Sequence, residues 1–274
     1  MSKKTENKKE KQLTKPEIGF TNENISIQTI RENQEAIKDI NHRYKTWVDF
    51  TTIISDYYAK IPFRHGGYDY HNPIGLLNHE CYLTIESSII LATNGYYRPA
   101  ISLLRCWYET SLYGIYYNDH KVEFLQSMYE DEPEFWFMLN MSNFIKYLFK
   151  LPSFRLFDME LKKKREKNEL KKFRSFQNSM NEVYMELSAY IHGRGKVRIE
   201  ILSINPEEKT RNYNKTNFDC WNSLFCIVSS ITTTSFILYN PKLLNKYPSK
   251  RKQILGILNK DFIDILTKNF GVKY

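Results

Sequence analysis

Turn-forming residues are rare in this chain. Ten glycines and nine prolines are spread over 274 residues. That is too little punctuation for a sandwich or barrel of many short strands, so long elements are implied. The apolar residues recur at helical spacing. In residues 24–60, Ile27, Ile30, Ile37, Ile40, Tyr44, Trp47, Val48 and Ile54 fall three, four or seven apart, which is the stripe of an amphipathic helix. The fold class that follows is all-α: a helical bundle with a core over about 74–192 and flanking helices at 24–60 and 216–269. Aromatics supply 15% of the residues, enough large side chains for one sizeable core.

The breaks are specific. Pro62 ends the first helix, and residues 63–73 read as a loop. Helices are expected at 74–93 and 99–118, joined by Asn94-Gly95, a left-handed C-cap signal, with Pro99 near the next start. So short a link predicts an antiparallel hairpin. Further helices are expected at 121–130, from 133 to 150, over 155–191 as one long element, and at 216–239 and 249–269. Residues 196–204 alternate like an isolated strand. Residues 18–274 therefore read as one helical domain.

The net charge of +9 is localised. Residues 1–15 hold six lysines and two glutamates, and residues 160–174 hold eight Lys/Arg and three glutamates. The first segment belongs to a disordered basic tail, residues 1–17, with no apolar stretch of the kind a secretion signal needs. The second is either a solvated helix surface or a face for phosphates. Cys81, Cys106, Cys220 and Cys226 form no C-x-x-C pair and read as small hydrophobes in a reducing compartment, the cytoplasm. Residues 221–239 carry no charge, but eight Ser, Thr and Asn residues interrupt them. A buried helix is expected there and not a membrane span.

The expected helix at 99–118 has only two charged residues before its end, Arg105 and Glu109, four apart and so on one face. Glu86 is the only charge between Cys81 and Tyr97 on the preceding helix. Charges inside central helices are costly unless paired, so Arg105 is expected to meet Glu109, Glu86 or both. Such a network either fixes the helices or holds a ligand. His192 ends the long helix, with Arg194, Lys196 and Arg198 directly after it. A histidine there can cap carbonyls, or it can act as an acid or base on an anionic substrate bound by those cations, phosphate being the natural candidate. His65, His71, His79 and Glu80 show no familiar ligand spacing. No P-loop, dinucleotide-binding turn or G-x-S-x-G is present, and no metal or cofactor is expected.

Two stretches, Gly95-Tyr-Tyr-Arg-Pro-Ala-Ile-Ser-Leu-Leu-Arg-Cys-Trp-Tyr-Glu109 and Leu187-Ser-Ala-Tyr-Ile-His-Gly193, resemble an uncharacterised group of bacterial and archaeal helical proteins. That group carries G-x-x-x-x-A-x-x-L-x-R-x-x-x-E and L-S-x-y-x-H-G in the same order. It is distantly similar to HEPN domains, the helical bundles of many prokaryotic RNases of phage defence, toxin–antitoxin and CRISPR systems. The resemblance implies a HEPN-like up-down core of four or more helices, RNA as partner, a homodimer, and metal-independent endoribonuclease chemistry. With the residues read above, catalysis is expected at His192, Arg105 and Glu109, and substrate binding at Arg194, Lys196, Arg198 and Glu86. HEPN RNases place Arg-x(4–6)-His on one helix. Here the corresponding positions hold Met185, Glu186 and Leu187, so the guanidinium would come from a neighbouring helix, with Arg105 the candidate. The other reading is a non-catalytic helical interaction or scaffold protein whose Arg/Glu/His cluster is structural.

Overall fold

A computed structural model describes residues 27–59, 72–129, 141–164, 167–193, 213–241, 243–258, 260, 263, 264, 266 and 267. Every regular element among them is an α-helix. In chain order these are α1 (Ile27–Glu32), α2 (Gln34–Tyr58), α3 (Pro73–Thr93), α4 (Tyr97–Asp119), α5 (Lys121–Tyr129), α6 (Met141–Leu148), α7 (Pro152–Lys163), α8 (Lys167–His192), α9 (Lys215–Tyr239), α10 (Leu243–Lys246) and α11 (Pro248–Gly256). The tail at 1–17, the loop at 63–71 and the strand expected at 196–204 lie outside the described residues.

The α3–α4 hairpin is the centre. Its turn follows from Gly95, whose φ of 82° suits a residue without a Cβ. Tyr96 N–H reaches Leu91 O at 2.8 Å and Gly95 N–H reaches Ala92 O at 3.1 Å, a Schellman closure of the helix end. The two helices run antiparallel. Ser88 donates to Ala100 O at 2.8 Å, and the Cys81 thiol lies 3.4 Å from Ser111 Oγ. At the far end a side chain on Gly114 would stand 3.7 Å from Ile74 Cα. The start of α3 is fixed by Asn72, whose Oδ1 accepts from Gly75 N–H at 3.1 Å. A Cβ at Gly75 would stand only 2.7 Å from Asn72 Nδ2, so the cap requires glycine there.

α2 and α9 pack on this hairpin, and α8 packs along α4. α9 is the one described helix long and apolar enough to cross a membrane. Most of it is buried inside the protein, and Ser229, Thr232, Thr233, Thr234 and Ser235 are fully withdrawn from water. Thr232, Thr234 and Ser235 turn their hydroxyls back onto carbonyls four residues earlier, as Thr232 does to Val228 O at 2.9 Å. Trp47 Nε1–H donates to Thr232 at 3.2 Å, and Trp221 Nε1–H to Ser88 at 3.1 Å. These two bonds cross-link α9 to α2 and to α3.

Two expected helices are divided. The first breaks at Asn33, where φ is −133° and ψ is 33°. Asn33 Nδ2 donates to Thr29 O at 3.2 Å and also to Tyr213, so a side chain competes with the helix for its backbone acceptor. The long basic helix is interrupted after Lys163, giving α7 and α8. Apolar spacing continues through this point, which is why periodicity alone reads as one element.

Candidate functional site

Three interactions fix how α4 lies against α8. Arg98 donates to Ile191 O at 2.7 Å, Arg105 donates to Tyr184 Oη at 3.1 Å, and Tyr108 donates to Met180 O at 2.8 Å. Numbers rise along α4 as they fall along α8, so the helices are antiparallel. Arg98 and Arg105 are two turns apart, about 10 Å at the rise of an α-helix.

Arg105 sits in the middle of this seam. Its Nε bonds Glu109 Oε1 at 2.7 Å, and the two side chains keep 21% and 24% of their exposure. The guanidinium carbon also lies 5.0 Å from the centre of the Tyr184 ring, within range of a cation–π contact. Burial pulls the Arg105 pKa down, but hydrogen bonding to Glu109 and its charge outweigh that, and the net shift is upward. The guanidinium is thus a permanent cation held by a carboxylate from its own helix and a phenol from the next. Cys106 beside it is exposed.

Glu86 belongs to another cluster. It accepts from Tyr44 of α2 at 2.7 Å, and the Tyr82 ring lies 5.9 Å from that of Tyr44. Burial, with hydrogen bonds to Tyr82 and Glu86, raises the Tyr44 phenol pKa far above its ordinary value. Of the two carboxylates weighed as partners for Arg105, Glu109 makes the ion pair, while Glu86 ties α3 to α2.

His192 is exposed at the last position of α8, before Gly193 with φ 59°. One residue before it, the carbonyl of Ile191 is capped by Arg98 of α4. Arg105 lies opposite Tyr184, eight residues back along α8 from His192, or about 12 Å of helix rise. Arg105 and Glu109 are therefore brought together, and His192 is aligned with Arg98 instead. Sequence reasoning passed over Arg98. Nothing in the sequence singled it out, since it falls at an unspecified position between Gly95 and Ala100. Arg194, Lys196 and Arg198 lie outside the described residues.

The basic segment spans the end of α7 and the start of α8, an elbow closed where the Phe157 and Phe173 rings pack with centroids 4.9 Å apart. Lys162, Lys163, Lys164, Lys167, Lys171 and Arg174 are all exposed. Among the described residues of 160–174, Glu160 is the exposed carboxylate, while Glu169 is buried, with 9% of its surface in water. Lys162 pairs with Asp158 within α7. Lys167, Lys171 and Arg174 are four and three apart, so they share one face of α8. Lys167 stands at the helix N-terminus, where a cation opposes the dipole. That placement gains nothing for the helix itself.

Among the described residues, no group of three His, Cys, Asp or Glu side chains could hold a metal ion. Comparison with protein-family models, curated proteins and solved structures returns no match.

Proposed function

We propose that this chain is a HEPN-like nucleic-acid-binding protein of the cytoplasm that binds RNA as a homodimer and acts in host defence. The observation that carries this reading is the α7–α8 elbow, where Lys167, Lys171 and Arg174 stand in water on one face of α8, next to the lysines at the end of α7. Such a surface attracts phosphates through release of condensed counterions, without regard to sequence. His192 lies at the opposite end of α8. A strand running along this helix would meet the elbow first and the imidazole about 27 Å further on, the rise from Arg174 to His192.

Cleavage at that end would be metal-independent. His192 would take the proton of a ribose 2′-OH as its oxygen attacks phosphorus. The P–O5′ bond then breaks, leaving a 2′,3′-cyclic phosphate, and the departing 5′ oxygen takes a proton. Arg98, with Arg194 after His192, would offset charge on the phosphoryl oxygens. Arg105 and Glu109 would hold α8 in place rather than touch the substrate.

A second reading, a non-catalytic helical interaction protein, is favoured by Arg105, whose guanidinium already has a carboxylate and a phenol as partners. The two readings separate in one assay. Wild-type protein and His192→Ala are incubated with single-stranded RNA in EDTA at low salt. Binding by both, with cleavage by wild type alone, is expected. RNA left both unbound and intact by the wild type supports the interaction protein.

A further inference from the structure

Between Asn240 and Lys260 the chain carries six Lys and Arg residues and no Asp or Glu. Within this stretch lie α10 and α11, whose Leu243, Leu244, Ile254 and Leu255 are buried. The apolar side chains are spent on the core, so the cations are left toward solvent. α11 packs on α2, where its Lys250 pairs with Asp49. Lys246, at the end of α10, meets Tyr57, which is eight residues and about 12 Å further along α2. A second basic surface thus runs beside the last turns of α2, on helices that are not those of the elbow.

Tyr57 sets this surface apart. It is 42% exposed, and Lys246 Nζ lies 4.4 Å from the centre of its ring. The Tyr58 ring stands edge-on to it at 5.0 Å. Tyr58 is itself anchored, since its hydroxyl accepts from Asn240 Nδ2 at 3.0 Å and its ring packs 5.6 Å from that of Tyr239. Arg251 donates to Asn245 Oδ1 at 3.4 Å, which brings its guanidinium back toward Lys246, and Lys252 is exposed. The nearby carboxylates are engaged or face another way. Asp49 holds Lys250, Asp119 accepts from Tyr239 at 2.7 Å, and Asp56 lines a cavity between α2 and α3.

Cations alone attract any phosphate backbone. An exposed ring beside them adds a surface on which a base can stack, and only an unpaired base offers its own face. We propose that Tyr57, with Lys246, Arg251 and Lys252, binds a single-stranded stretch of RNA. The ring stacks on one unpaired base, and the cations take the flanking phosphates. This rests on the RNA-binding reading and adds to it a contact that requires a base, where the elbow requires only phosphate.

The test is a binding titration of the full chain at low salt with a short 2′-O-methyluridine strand, which cannot be cleaved through its 2′ oxygen, and with its abasic analogue. Wild type is expected to bind the base-bearing strand about tenfold more tightly, the effect of one stacked base. Tyr57→Leu should lose most of that preference with its affinity for the abasic strand unchanged, and Tyr57→Trp should keep it. Lys246→Gln, Arg251→Gln and Lys252→Gln combined should weaken both strands alike, by about tenfold or more. Wild type that binds the two strands equally, or Tyr57→Leu that keeps the full preference, would overturn this contact and leave the elbow reading standing. Wild type that binds neither strand would overturn both.

Discussion

The α4–α8 seam and the α7–α8 elbow use the same residue types in opposite ways. At the seam Arg105 is mostly withdrawn from water and closes its hydrogen bonds on Glu109 and Tyr184. At the elbow Lys167, Lys171 and Arg174 stand in water on one face. A cation with buried partners holds helices in register, and its removal is felt as stability. A cation in solvent contributes little to folding, because surface charges are well screened. It remains available to a phosphate. The lesson is that burial, more than identity, decides which arginine holds the fold and which stays open to solvent.

That contrast predicts effects that separate cleanly. The largest is at the elbow: Lys167→Ala, Lys171→Ala and Arg174→Ala combined should weaken single-stranded RNA binding about a hundredfold at low salt. Unfolding in urea should move by less than about 0.5 kcal/mol. Next comes Glu109→Leu, which leaves the half-buried guanidinium without its carboxylate. Denaturation should show a loss of about 1–2 kcal/mol, with RNA affinity unchanged. Tyr184→Phe keeps the ring under the guanidinium but removes its hydroxyl, so a smaller loss of about 0.5–1 kcal/mol is expected by the same measurement. Smallest of all should be the double change Arg105→Met with Glu109→Leu. Removing both charges together leaves neither unpaired, so stability should stay within about 1 kcal/mol of wild type. A double variant as unstable as Glu109→Leu alone would show that the pair does more than hold the seam.

The sequence was most legible where the cause is local. Asn94-Gly95 and Pro99 foretell the hairpin turn, since a left-handed cap and a fixed φ act within a few residues. Arg105 and Glu109 were legible as a pair because four residues make one helical turn. Partners further off were hidden. Tyr184 lies 79 residues from Arg105 and carries no charge to announce itself. Glu86 looked like a partner for Arg105 because both seemed isolated, yet Tyr44, 42 residues away, takes it. Arg98 reads as an ordinary surface residue until α8 is laid beside α4.

The most direct test of the account is the salt dependence of RNA binding. A single-stranded oligonucleotide is titrated with wild type and with the Lys167/Lys171/Arg174→Ala variant across a series of salt concentrations. The wild-type plot of log K against log salt should fall steeply, and the variant's slope should be shallower by about 2, as expected for three lost phosphate contacts. Equal slopes for the two proteins, or no wild-type binding even at the lowest salt, would contradict the claim that the elbow is a phosphate-binding surface.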